Sequence, residues 1–384
     1  MRIAVLFFNI GGYHSARLKA AQERLSDDNH QLCAIEILSS STEHPWQFTD
    51  NDTAYQKISL FDYEAKLSTR SLVLELRAAL ARYGAQVVAV PGWGSTEART
   101  ALTWAKLNGA KVIAMSESKM DDAPRNLIKE WVKSVFYVRR FDAALVGGKA
   151  HSDYLQSLGM PTDKIFLGYD AVDNAYFESR VKQLSGDANC SRRAMPDIPE
   201  RPYFLSVTRF IPRKNLALLI DAYANYVEKV GIADAWPLVL CGGGNEEATL
   251  RQRVNALHLE GNVKFPGFIS YQNLPYWYAF AGALVHPATQ EQWGLVLNEA
   301  AAAGLPIISS NTVGAAATLV ENGKNGFLFP PNDRAGITHA LLSVHELSPQ
   351  DIARAGERSR ALVAPWGPKR FADGFFDALK TVMR

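Results

Sequence analysis

Two cations stand five residues apart in the second half of the chain. They are Arg209 and Lys214 in SVTRFIPRKN, directly after an apolar run. A planar guanidinium fork and an ammonium point charge at that interval suit a diphosphate; two solvated surface cations would read the same way. Two carboxylates, Glu291 and Glu299, frame the segment EQWGLVLNE, which follows a run ending at His286 and opens a helix near Gly294. A carboxylate can accept from two neighbouring hydroxyls, and the free amides of a helix N-terminus favour an anion. The plainer alternative is an exposed Glu followed by a helix-stabilising one. Three glycines, Gly242, Gly243 and Gly244, end another apolar run. They either bring backbone close to a phosphate or sugar or simply make a tight turn. They do not form Gly-x-Gly-x-x-Gly, so the dinucleotide fingerprint is missing. A last glycine-marked stretch, from Gly314 to Gly326, reads as turn, short helix, turn and final strand, scaffold beside the same site.

These groups need strands that end where they begin. Short apolar runs at residues 3–8, 34–38, 87–90, 112–115 and 143–146 alternate with helical stretches such as 68–83 and 97–107. A second series has strands at 203–207, 238–241, 263–265, 283–286 and 306–309, with helices at 215–228, 246–257 and 295–303. Such alternation predicts β-α-β units and parallel sheets. Loops after the strands then lie at the carboxyl edge, where open α/β sheets bind ligands. Residues 180–202, rich in Ser, Asp, Asn, Arg and Pro, read as surface linker. The spacing of Phe371, Phe375, Phe376 and Leu379 predicts a helix over 368–383 behind the breaker PWGP.

In the first half, Gly11, Gly12 and His14 follow the first strand and open a helix. The glycines suit close approach of a donor phosphate or an acceptor, or an ordinary β-α turn, and His14 suits a helix start or an acceptor contact. Glu117, Ser118 and Asp121 follow the 112–115 strand, as acceptor-facing groups or as loop and helix-cap residues. Residues 125–140 form a basic, aromatic helix. It is either a membrane-facing helix or an ordinary amphipathic one whose Trp131 and Phe136 belong to the core. Asp50-Asn51-Asp52 spells a metal-binding Asp-x-Asp, but it lacks a preceding apolar strand and is read as chance.

Arg209, Lys214, Glu291 and Glu299, with their order and spacing over residues 203–345, resemble the C-terminal domain of retaining GT-B glycosyltransferases of family four, the group 1 glycosyl transferases. That resemblance implies an α/β chain of two Rossmann-like domains facing each other across a crevice. It places an acceptor domain at 1–172, a linker at 173–202, a donor domain at 203–367 and a helix at 368–384 crossing back. It implies transfer of a sugar, with retention and without metal, from a nucleoside-diphosphate sugar to an acceptor hydroxyl on a glycan, lipid-linked or small molecule. Arg209, Lys214 and Glu291 would be catalytic, the cations holding the diphosphate and Glu291 facing the sugar. Glu299 would bind the ribose, Phe268 and Ile269 the base, and Gln292, Trp293, Gly294 and Leu295, with Gly12 and Gly243, the rest of the donor. Where the family often has Gly and Phe after the first Glu, this chain has Gln292 and Trp293. Ala315 and Thr318 replace a usual Gly and acidic residue, and the His often found near residue 117 is missing. Donor-sugar identity is blurred accordingly.

Composition sets the outer limits. Of 384 residues, 47% are hydrophobic and 21% charged, as in folded soluble chains. The 41 basic and 39 acidic side chains give +2, which argues against a global nucleic-acid-binding field. Three unpaired-looking cysteines argue against zinc and a disulfide framework and fit a reducing cytoplasm. The expected location is cytoplasmic, with peripheral contact at the inner face of the membrane if the basic helix docks there. No cofactor, metal or nucleic-acid partner is expected. The rival functions are a silent GT-B binding subunit, and a sugar-nucleotide epimerase or glycan phosphorylase on the same frame.

Overall fold

The computed structural model describes residues 1–26, 28–39, 54–63 and 67–383. The Asp50-Asn51-Asp52 triplet lies outside them. The chain divides into two compact units, one of Met1–Asp173 with Trp366–Arg384 and the other of Asn174–Pro365.

The first unit holds seven strands: β1 (Arg2–Phe7), β2 (Gln31–Leu38), β3 (Gln56–Phe61), β4 (Val87–Pro91), β5 (Lys111–Ser116), β6 (Ala143–Val146) and β7 (Ile165–Leu167), in the order β3-β2-β1-β4-β5-β6-β7. Every pairing is parallel. β1 shows why such strands read as unbroken apolar runs: Ala4 and Leu6 enter one core, Ile3, Val5 and Phe7 another. Both faces of the sheet are therefore covered, as parallel sheets require. The helix Pro368–Met383 covers one face, burying Phe371, Phe375 and Phe376 beside the helix Gly12–Ser26.

The second unit holds β8 (Phe204–Val207), β9 (Leu238–Cys241), β10 (Val263–Gly267), β11 (Ala283–His286), β12 (Ile307–Ser310) and β13 (Gly326–Phe329), in the order β10-β9-β8-β11-β12-β13. These too are all parallel. The sheet order reverses between β8 and β11. Loops leaving two adjacent strands therefore diverge to opposite sides and open a crevice at their carboxyl ends.

The linker expectation is corrected. Helices Asn174–Gly186 and Ala188–Ala194 occupy most of residues 173–202, and both belong to the second unit. Phe177, Val181 and Leu184 are buried at helical spacing. A window opening at residue 180 cuts that period after its first member, which is why the stretch looks aperiodic. The first of these helices packs on Leu274–Phe280 and Leu295–Ala303, against the ligand-facing elements of its own unit.

Candidate functional site

The two strands beside the switch point of the second unit carry the two halves of the site. After β8 the chain passes Arg209 and makes a short 3-10 turn, Pro212–Lys214. Asn215 then takes a left-handed conformation with φ 59° before the helix Leu216–Val230. Asn215 is held there by its amide, which donates to the Pro331 carbonyl at 2.7 Å. The turn aims Lys214 inward, where it is 8% exposed, while Arg209 stays on the surface.

From β11 the chain runs through Thr289, whose N–H donates to the Arg213 carbonyl at 2.8 Å and ties the two loops together. Glu291 follows, its carboxylate in direct contact with the Lys214 ammonium. Burial first, then the charges of Arg213 and Arg209, pull Lys214 down to about 7. The Glu291 carboxylate opposes that pull. His286, at the end of β11, puts its Nε2 at 3.3 Å from the same Glu291 oxygen. Burial, followed by Lys214 and Arg213, holds this imidazole well below its ordinary range. A neutral His286 thus donates Nε2–H to Glu291, and Nδ1 is a bare acceptor. Nδ1 is buried with no hydrogen-bond partner among the described residues.

The segment after Glu291 is fixed through its backbone. Gly314 donates to the Glu291 carbonyl and Ala315 to that of Trp293, at 3.3 and 2.9 Å. A Cβ on Gly314 would fall 1.8 Å from the Gln292 carbonyl oxygen, so only glycine lets the two loops meet. Gly294 adopts φ 94° and starts the helix Leu295–Ala303. Its first-turn amides point toward the carboxyl end of the sheet. Trp293 is buried and gives its indole N–H to Asn298 at 2.9 Å, so this position can serve a ligand through its backbone only. Glu299 lies one turn into the helix, 2% exposed, and receives the Tyr278 hydroxyl at 2.5 Å.

The glycine run has a reason that sequence reading left open. Cβ atoms on Gly242 and Gly244 would sit 1.8 Å from the Thr208 carbonyl oxygen and 2.4 Å from that of Phe210. Both are needed for the close packing of the β9 loop on the β8 loop, whereas Gly243 has room. Phe268 is half-exposed, and with Ile269 it borders a cavity of about 260 Å³ that also touches Pro266, Asn273, Trp277 and Pro196.

In the first unit, Gly11 donates its N–H to His14 Nδ1 at 3.2 Å, and the His14 ring lies 4.4 Å from that of Phe7. His14 thus closes the turn in which Gly12 begins the helix. Asp121 is exposed and pairs with Lys119 at 2.9 Å. Ser118 donates its N–H to Ser116 Oγ at 3.2 Å. Glu117 neighbours Asp170, which is fully buried; burial, then the Glu117 charge, raises the Asp170 carboxyl well above the usual range. His286, Arg213, Tyr278 and Asp170 were not singled out from sequence. His286 and Arg213 adjoin flagged positions, while nothing marks Tyr278 or Asp170 until the fold brings them in. Among the described residues there is no group of three His, Cys, Asp or Glu able to hold a metal ion.

Residues 191–361 match the family described as Glycosyl transferases group 1. The second unit is a group 1 glycosyl transferase domain. The chain is similar to O-antigen chain mannosyltransferase B of Escherichia coli, with 32% identity over 166 residues, 43% of this chain and 42% of that protein. The matched stretches span less than half of the first curated relatives, 42%, 18% and 21% of their lengths. Among solved structures, sucrose-phosphate synthase from Thermosynechococcus elongatus superposes with a TM-score of 0.75 at 18% identity, covering 100% of this chain and 99% of that one. HepE from Anabaena, solved in complex with UDP-glucose, gives 0.73 at 18% identity and covers 99% of each. The two parallel α/β units, with the helix Pro368–Met383 returning to the first, are the GT-B fold.

Proposed function

We propose that this group 1 glycosyl transferase moves a sugar from a nucleoside-diphosphate sugar to an acceptor hydroxyl, with retention and without a metal. One observation carries the reading: Arg209, Lys214 and Glu291 converge from β8 and β11 on the carboxyl edge at the switch point. The mannosyltransferase likeness and the UDP-glucose in HepE support it. The barrier is departure of a diphosphate from an oxocarbenium-like carbon. Arg209, Lys214 and the amides after Gly294 supply fixed positive potential for that anion. When the donor enters, Lys214 exchanges the Glu291 carboxylate for a phosphate oxygen, which releases Glu291 for a sugar hydroxyl. The acceptor oxygen bonds to the anomeric carbon on the face the phosphate is leaving, and its proton passes to the departing phosphate oxygen.

Phe268 and Ile269 serve the base in this reading. The ribose role of Glu299 carries a condition: at 2% exposure it meets a ligand only when the residues over it move. The acceptor groups are assigned to the first unit, at Gly12, His14, Glu117, Ser118 and Asp121. The location proposed is the cytoplasm. A thermal-shift panel of UDP-, GDP- and ADP-sugars tests the donor, since a ligand of the native state alone raises the melting temperature. Product analysis then separates transfer from epimerisation and phosphorolysis. No shift with any nucleotide sugar and no turnover would overturn the reading.

A further inference from the structure

The helix Leu127–Phe136 of the first unit is inverted. What it gives its own unit is polar. Ser134 is buried and its Oγ donates to the Leu158 carbonyl at 2.6 Å. Glu130 takes the Lys133 ammonium at 2.7 Å and the Tyr154 hydroxyl at 2.7 Å. Arg125 lies over the Tyr154 ring at 4.4 Å and 3.6 Å from Glu130. The outward side is apolar. Leu127 is 88% exposed, Ile128 74% and Trp131 60%, with Val135 and Phe136 exposed beside them. At about 100° per residue, Leu127, Ile128, Trp131 and Val135 share an arc of roughly 100° on one side. An ordinary surface helix turns that stripe toward its core. A contiguous exposed patch of this kind marks an interaction site.

We propose that this face docks on an anionic lipid bilayer. The charges around it choose the occupant. Residues 125–140 hold five basic side chains and one acidic one. Arg125 and Lys133 are engaged with Glu130 and Tyr154. Lys129, Arg139 and Arg140 are exposed, with no carboxylate partner among the described residues. Apolar and aromatic groups that can enter the acyl boundary, rimmed by cations for lipid phosphates, are the two components of interfacial helix binding. A two-fold contact with a second copy would instead set the same three cations against their equivalents. No helix among the described residues is long and apolar enough to span a membrane, so the contact is on the surface. The inference stands apart from glycosyl transfer and needs no donor to test.

The experiment is co-sedimentation of the full chain with vesicles of phosphatidylglycerol and phosphatidylcholine, or of phosphatidylcholine alone, at low and high salt. Two variants accompany it, one carrying Leu127→Ser, Ile128→Ser and Trp131→Ser and the other Lys129→Gln, Arg139→Gln and Arg140→Gln. All six positions are exposed, and melting curves check that both variants fold. The wild type should bind anionic vesicles only, weaken as salt rises, and shift its Trp131 fluorescence to the blue. A cation near the surface is worth about fivefold in partitioning, so the second variant should bind on the order of a hundredfold more weakly. The first should lose the fluorescence shift and most of its binding. The proposal fails if the wild type does not sediment with anionic vesicles, or if neither variant weakens binding. It also fails if the wild type dimerises through this face, a dimer abolished in the first variant, and leaves vesicles alone.

Discussion

Substituting Glu291→Gln removes the one carboxylate that holds the buried Lys214 ammonium, and the size of the effect follows from the surroundings of that lysine. Beside the Glu291 carboxylate, burial and the charges of Arg213 and Arg209 already bring Lys214 to about 7, against an ordinary 10.5, and without that carboxylate the folded value falls further. A lysine whose folded value lies below its unfolded one binds fewer protons when folded, so the variant gains stability as pH rises. Below the variant's own folded value the full cost of the unpaired charge is present. Relative to wild type the deficit shrinks as pH rises toward 7, where the folded lysine of both proteins loses its proton. The size of the deficit is set by the roughly 3–5 kcal/mol lost when a buried ion pair loses one partner. Chemical unfolding of wild type and variant should therefore show a deficit of several kcal/mol at pH 5 that narrows at pH 9. A deficit below about 1 kcal/mol at pH 5, or one equal at both pH values, would refute the account of Lys214.

Arg209→Ala should leave the melting temperature nearly unchanged, since the side chain is exposed, and slow transfer by roughly a hundredfold to a thousandfold, the usual cost of one charge-stabilising donor; wild-type turnover would remove Arg209 from the chemistry. Glu299→Gln should weaken calorimetric binding of the free nucleoside diphosphate while Glu291→Gln leaves it nearly intact, and equal weakening would end that division of labour. Turnover should persist in excess chelator; activity lost there and restored by Mg²⁺ or Mn²⁺ would contradict the metal-free reading. Gly314→Ala should destabilise the second unit by more than 1 kcal/mol and depress activity with it, because its Cβ would strike the Gln292 carbonyl; a variant as stable as wild type would show that the loop gives way.

The buried strands were the most legible elements. Runs such as residues 143–146 and 238–241 coincide with β6 and β9 because both faces of a parallel sheet are apolar. β3, QKISLF at the sheet edge, has mostly uncovered residues and β7 only three, so neither offers such a run. The cations and carboxylates were legible because they follow strands directly. What the residues do to each other was not. Lys214 and Glu291 are 77 positions apart, and only the adjacency of β8 and β11 makes them a pair. Trp131 and Phe136 carried a helical period but not its direction. Whether such a stripe faces inward depends on what the rest of the unit already covers, and here Glu130 and Ser134 take the inner side.

The helix Pro368–Met383 has a consequence for how the protein is made. About 200 residues separate β7 from it. At roughly 5–20 residues per second of synthesis, the first sheet waits about 10–40 s for Phe371, Phe375 and Phe376. Until then the β5–β6 side of that face, with Ile113, Met115, Ala143 and Leu145, lacks this cover, while the uninterrupted stretch from Asn174 to Pro365 has everything required to close on itself. The unit that starts first is thus completed last. Nascent chains halted before residue 366 should be chaperone-bound and protease-sensitive in their leading half, and firm in their trailing one.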